Sequence, residues 1–371
     1  MKKRHFPLIF SVFLLFHALP GQVDPTNETD LEGKIAQMLI VGFRGLELHE
    51  DMAIVHDIRE RGIGGVILFD YDVPSGKSKR NIRSAGQVRA LNKDLQALSE
   101  DRLFISIDQE GGRVSRLKEQ YGFPSTVSHQ ALGTYNDADS SRAFAAATAA
   151  LLARLGFNLN FSPVVDVNSN PANPVIGKLE RSFSQDPDRV SRHAEAFVSA
   201  HHEKGVMAAV KHFPGHGSAW NDSHLGMADV TETWNRSELA PYRYLIGKGL
   251  IDVIMTAHIF NENLDPDHPA TLSRDVIEGL LREKLGYRGV VVSDDMQMKA
   301  ITEYYGLKQA LKLSINAGVD MLIFANNSVY EEDIAERAIA LIRTMVEDGE
   351  IPRERIEESY RRIKKLKSVT A

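Results

Sequence analysis

A chain of 371 residues, 43% hydrophobic and 25% charged, can bury a substantial core, and its formal net charge of -6 argues against a nucleic-acid-binding surface. It contains no cysteine, so a disulfide framework and a lipid on an N-terminal cysteine are both excluded.

Lys2, Lys3 and Arg4 precede an apolar run from Phe6 to Leu19 that breaks at Pro20 and Gly21, the pattern of a secretory signal peptide over residues 1–21. The run is short of the roughly 20 residues of a membrane span, so cleavage is expected rather than anchoring, with no stable span afterwards. An exported protein, periplasmic or extracellular, is the expectation. Residues 22–30 form a polar lead, and residues 31–371 read as a single domain, because no linker or low-complexity tract interrupts them.

From there short apolar runs alternate with helix-period segments. The runs are "QMLIVGF", "GGVILF", "LFISI", "LNFSPVVDV", "VMAAV", "DVIMTA", "GVVVSD" and "DMLIFA". Amphipathic stretches lie near residues 49–62, 85–99, 137–155, 186–204, 235–249, 273–285, 302–317 and 331–347. Continuous apolar strands alternating with helices imply a parallel sheet covered on both faces, and eight such units suit an α/β fold of the (β/α)8 barrel type; a doubly wound open sheet is the alternative. The closing segment "IPRERIEESYRRIKKLK" should add a C-terminal helix, its basic run facing solvent.

Polar residues gather where the apolar runs end. "LFISI" leads into "DQEGGRVSR", "VMAAV" into "KHFPGHG", "DVIMTA" into "HIF", "GVVVSD" into "DMQM" and "DMLIFA" into "NN". Barrel enzymes build their sites at the C-terminal strand ends, so these five endings should share one rim.

The stretch "KHFPGHGSAWNDSH", residues 211–224, carries three histidines on a glycine-hinged loop, with Asp222 two residues before His224. A carboxylate bonded to one imidazole nitrogen leaves the other free to pass a proton. No G-x-S-x-G turn supplies a serine, so the nucleophile is a carboxylate, a water or absent. Asp294 and Asp295 end the seventh run, and strand alternation predicts that at most one of them faces substrate. A carboxylate nucleophile with a separate proton donor is the arrangement of retaining glycosidases.

These residues carry a resemblance. "KHFPGHG", four variable residues and "DSH" resemble the signature of the β-N-acetylglucosaminidase branch of glycoside hydrolase family 3. "DQEGGRVSR" (108–116), "SPVVDV" (162–167), "ERSF" (180–183) and "VVSDDMQMKAI" (291–301) match the same pattern in order, over about residues 32–327. The resemblance implies a single-domain barrel without cofactor or metal, with Asp294 as nucleophile, His224 as acid/base and Asp222 as its partner. It further implies that Asp108, Arg116, Arg181, Lys211 and His212 hold the sugar's hydroxyl and acetamido groups. Its substrate would be a glycan ending in nonreducing β-linked N-acetylglucosamine, from peptidoglycan fragments or chito-oligosaccharides.

Plainer roles compete. Asp295 could be the functional twin or shape the loop; Lys211 and His212 could form an internal ion pair; Asp108 with Glu110 could set the glycine turn; Arg181 could neutralise Glu180 or Asp166. His216 reads as a loop-shaping donor, His258 as support behind the substrate-contacting residues, "HHE" (201–203) as solvent-facing, and Met296 and Met298 as apolar wall. Three rival functions remain: a phosphorolytic enzyme of the same family, a metal-dependent barrel hydrolase using His212, His216, His224 and His258, and a non-catalytic sugar binder.

Overall fold

The computed structural model describes Met1 and residues 25–369, so the expected signal peptide, Met1 apart, lies outside the described residues. The second half of the polar lead belongs to a helix, Pro25–Ala36, which buries Leu31, Ile35 and Ala36.

Eight parallel strands close into a barrel: β1 Leu39–Gly42, β2 Gly65–Leu68, β3 Phe104–Ile107, β4 Leu159–Asn160, β5 Met207–Phe213, β6 Val253–Thr256, β7 Val290–Asp295 and β8 Met321–Phe324. Each pairs with its sequence neighbours, and β8 returns to β1, with Leu39 opposite Leu322. The strands are buried on both faces, which is why they read as continuous apolar runs rather than alternating ones. Each expected helical stretch contains a helix, among them Ala85–Ala97, Ala138–Leu155, Pro187–His202 and Ile334–Glu347. No helix among the described residues is long and apolar enough to cross a membrane.

Two readings of the helices need correction. His201, expected to face solvent, is fully buried, because the stripe Val190, Ala194, Phe197 and Val198 that lies on the barrel continues through it at helical spacing. Its ring stacks on Phe197; Nδ1 is 3.0 Å from the Phe197 carbonyl oxygen and Nε2 is 3.1 Å from Asn160 Nδ2, so the proton sits on Nδ1 and Nε2 accepts. Burial pushes this imidazole down to about 4, keeping it neutral.

The C-terminal helix, Arg353–Val369, is present, but its basic run is not simply a solvated face. Arg355 and Arg362 pair with the buried carboxylate of Asp320 beside β8, and Arg282 reaches the other oxygen of the same carboxylate at 2.8 Å. Lys367 is buried over the Phe104 ring and donates to Gln37 Oε1.

Candidate active site

The C-terminal ends of β3, β5 and β7 supply most of the chemistry. After β3, Asp108 and Glu110 meet Lys211, the fifth residue of β5, whose ammonium lies 2.7 Å from Asp108 Oδ1 and 2.8 Å from Glu110 Oε1. Arg181 grips Glu110 with two parallel bonds, 2.9 Å from Nε and 2.8 Å from Nη2, and Arg116 reaches Asp108 Oδ2 at 3.3 Å. Burial would raise the Glu110 carboxyl, but the charges of Arg181 and Lys211 hold it well below the usual carboxylate range. Arg181 is thus neutralised by Glu110, not by Glu180 or Asp166 as weighed from sequence. Two anions and three cations lock together here, leaving Asp108, Lys211, Arg181 and Arg116 bordering an open space.

Next along β5, His212 is oriented from behind. Its Nδ1 lies 2.7 Å from Asp166 Oδ2, and its Nε2 faces the cavity 3.3 Å from the Arg181 guanidinium. Asp166 Oδ1 also accepts from the His212 and His216 amides, so one buried carboxylate fixes both the ring and the turn after it. The peptide bonds Ser162–Pro163, Lys211–His212 and Phe213–Pro214 are cis.

The root of the histidine loop is tightly held. The Gly217 amide donates to Glu238 Oε2 at 3.1 Å, and a Cβ at Gly217 would lie 1.7 Å from the Val167 carbonyl oxygen, so only glycine fits. Glu238 is fully buried; its burial and the nearby Asp166 charge push its carboxyl up to about 8. His216 Nε2 meets Ser223 Oγ at 3.1 Å across the loop, the shaping role expected of it. At the tip, Asp222 Oδ1 accepts from both the amide and Nδ1 of His224, at 2.9 and 2.8 Å, which leaves Nε2 free. Desolvation would lower the His224 pKa, but the Asp222 bond and the Asp294 charge outweigh it and raise the ring above its ordinary value.

The two aspartates of β7 are distinguished by their bonds. Asp295 is buried, and its Oδ1 accepts from the Gln297 and Ala325 amides; burial lifts it to about 6. Asp294 remains partly exposed, with Oδ1 on the Asp295 amide at 2.8 Å. Burial would raise Asp294 as well, but His258, His212 and His224 around it hold it near 2. Both line the cavity, against the strict alternation expected, because the register of β7 on β8 shifts between Val292 and Asp295. His258 stands behind them, Nδ1 on Thr271 Oγ1 at 2.8 Å and Nε2 donating to the Asp295 carbonyl at 3.0 Å.

A cavity of about 330 Å³ therefore opens at this end of the barrel, bordered by Asp108, Arg116, Arg181, Lys211, His212, His224 and Asp294. Asp222 stands behind His224, Met298 forms part of the wall and Met296 is buried core. The residues expected from sequence to be catalytic or sugar-binding all lie at this one place, Asp222 through its bond to His224. Among the described residues, no group of three or more His, Cys, Asp or Glu is placed to hold a metal ion; ring nitrogens of His212, His216 and His258 are taken by protein partners. Sequence reasoning missed the pairing role of Glu110, the support given by Asp166 to two histidines, and Glu238 altogether. The positions of Glu110 within "DQEGGRVSR" and Asp166 within "SPVVDV" were the available signals; Glu238 had none.

Comparison with known proteins agrees with the geometry. The family model described as "Glycosyl hydrolase family 3 N terminal domain" matches residues 30–366. Beta-hexosaminidase A of Pseudoalteromonas piscicida is 36% identical over 329 residues, 82% of this chain and 53% of that protein. Beta-hexosaminidase of Tolumonas auensis is 36% identical over 294 residues, 78% of this chain and 83% of its own length. The solved family 3 β-N-acetylglucosaminidase from Paenibacillus sp. str. FPU-7 superimposes with a TM-score of 0.82 at 37% identity, covering 92% of this chain and 63% of that one. The β-N-acetylhexosaminidase from Beutenbergia cavernae gives 0.81 at 27% identity, covering 91% and 98%. The chain thus spans about half the length of the first relative and nearly all of the last.

Proposed function

The chain belongs to glycosyl hydrolase family 3, and from that premise we propose that it is an exo-acting, retaining β-N-acetylglucosaminidase. The observation that carries the reading is one cavity bordered by Asp294, at the end of a barrel strand and held near 2, and by His224, raised above its ordinary value, whose Nδ1 is held by Asp222. The names of the relatives support the same sugar specificity.

The terminal sugar enters with its hydroxyl and acetamido groups against Asp108, Arg116, Arg181, Lys211 and His212, where buried charges offer donors and acceptors without rearrangement. Asp294 attacks the anomeric carbon while the bond to the aglycone oxygen breaks, and the proton on His224 Nε2 passes to that oxygen. Neutral His224 then takes a proton from water, whose oxygen attacks the same carbon and releases Asp294. Two inversions restore the β configuration. An imidazole suits this second step, because on taking the proton it becomes a cation near the Asp294 carboxylate that is being released.

Peptidoglycan fragments are the substrate we favour, with chito-oligosaccharides second, and export by a signal peptide would place the enzyme outside the cytoplasm. The decisive assay is release of 4-nitrophenol from its β-N-acetylglucosaminide and its β-glucoside by the protein and by Asp294→Ala, with and without phosphate. Turnover of the acetamido sugar alone, abolished by the substitution and indifferent to phosphate, is expected. No turnover of either sugar by the folded protein would overturn the reading, and a phosphorylated sugar product would replace hydrolysis by phosphorolysis.

A further inference from the structure

A second cavity, of about 690 Å³, opens at the same end of the barrel beyond the catalytic one. The wall between them is the segment that follows β2, a short hairpin in which Tyr71–Asp72 pairs with Lys77–Ser78. The hairpin borders both: Val73 lines the catalytic cavity and its neighbour Asp72 lines the outer cleft. Asn327, also on the catalytic side, clamps the wall by accepting from Arg80 Nη1 at 2.7 Å and from the Val73 amide at 3.3 Å.

The outer cleft is cationic in a chain that is acidic overall. Arg44, Lys77, Lys79, Arg80 and Arg83 line it against only Glu47 and Asp72. Asp72 is consumed by Arg44, through bonds of 3.1 and 3.0 Å, and by the buried Arg80; Glu47 lies 3.5 Å from Arg83. Lys77 and Lys79 are exposed and, among the described residues, have no carboxylate partner. Lys79 is held at a φ of 64°, a left-handed conformation uncommon for lysine, by its amide donating to the Asp70 carbonyl at 2.7 Å. A strained residue that holds an unpaired cation in a cleft beside a catalytic site is a candidate for ligand contact.

We propose that this cleft binds carboxylate groups on the aglycone, and that it makes the enzyme select acidic over neutral glycans. The inference rests on the glycosidase reading above: when an exo-acting enzyme seats the terminal sugar in the catalytic cavity, the remainder of the substrate lies across the barrel rim, of which the hairpin forms the side where Val73 borders that cavity. A chito-oligosaccharide has no charge to offer the lysines. A muropeptide carries carboxylates on its lactyl ether and on its peptide, and either satisfies them.

The test is the double variant Lys77→Ser with Lys79→Asn, asparagine being chosen because it tolerates the left-handed backbone. For the full chain, kcat/KM is measured on 4-nitrophenyl β-N-acetylglucosaminide, on chitobiose, on N-acetylglucosaminyl-N-acetylmuramic acid and on that disaccharide bearing its peptide. A fall of about threefold to tenfold on the carboxylated substrates, with the two neutral ones unchanged, is expected, and added salt should produce the same bias in the unsubstituted enzyme. Loss on both acidic substrates points to the lactyl carboxylate, and loss on the peptide-bearing one alone points to the peptide. Unchanged rates on all four, or equal losses on neutral and acidic substrates, overturn the inference. Calorimetric binding of the same glycans to Asp294→Ala, with and without the lysine substitutions, separates the two readings. If no glycoside is turned over, lysine-dependent binding of the acidic glycans still upholds the cleft while the glycosidase reading falls.

Discussion

Removing Asp222 should move the alkaline limb of the activity profile in a calculable direction. In the proposed mechanism His224 must be protonated to assist departure of the aglycone, so kcat/KM on a substrate with a poor leaving group should fall as pH rises through the His224 pKa. That pKa is raised in the folded protein, in part by the Asp222 bond; Asp222→Ala therefore lowers it and shifts the alkaline limb toward acid. The His224 side chain is 54% exposed and Asp222 26%, so the pair is worth what solvent-screened pairs are worth, about 0.2–1 kcal/mol. At about 1.36 kcal/mol per pH unit, the limb moves down by about 0.15–0.7 unit, and the Asp294 charge keeps the rest of the elevation in place. The assay is the pH dependence of kcat/KM on chitobiose for the protein, Asp222→Ala and His224→Ala. His224→Ala should lose the limb altogether while sparing activated aryl glycosides, which need no proton. A limb that stays put or moves toward alkali in Asp222→Ala, or that survives in His224→Ala, would refute the assignment of the proton to this ring.

Glu110→Ala removes the carboxylate that Arg181 and Lys211 share, leaving Asp108 beside Lys211 and the more distant charge of Asp166 for Arg181; breaking such a buried network costs about 3–5 kcal/mol, which for a domain of this size lowers Tm by about 4–7 °C. Calorimetry would check it, and a drop below about 1 °C would mean that the network contributes little. Gly217→Ala forces the loop root off the Val167 carbonyl and should cost about 1–3 kcal/mol and most of the activity, whereas Gly226→Ala, with open space around its Cβ, should change neither. Equal behaviour of the two variants in thermal melts and aryl-glycoside turnover would contradict the fit described for Gly217.

The fold was readable because it depends on local pattern. Parallel strands covered on both faces leave apolar runs such as "GVVVSD", and the helices between them leave a 3.6-residue period, so barrel and rim could be placed before any coordinates. Pairings were much less readable. Glu110 meets an arginine 71 residues away, and nothing local distinguishes that from the glycine-turn role weighed for it. His201 was misread because a histidine at the end of a helix looks polar, although its position extends the apolar stripe. Glu238 escaped notice because it opens no motif; its significance lies in the Gly217 amide that folding brings to it. The doublet Asp294–Asp295 was narrowed by alternation, but the shift in β7 register puts both at the cavity, and their bonds tell them apart.

The histidine loop is built in two parts with different freedoms. Near the strand, the Gly215, His216 and Gly217 amides are bound to His212, Asp166 and Glu238, and the indole of Trp234 holds the Pro214 carbonyl. Toward the tip, Trp220 and Leu225 stand open to solvent, and the bonds of His224 are to its own neighbour Asp222. On the proposed mechanism, sugar recognition and nucleophile are thus set on the barrel itself, while the proton donor is carried on an arm joined to it through the Ser223–His216 bond. Ser218 and Ala219 are buried with the root, so an arm lengthened at the exposed Trp220 would reach bulkier leaving groups without rebuilding the pocket proposed to read the sugar.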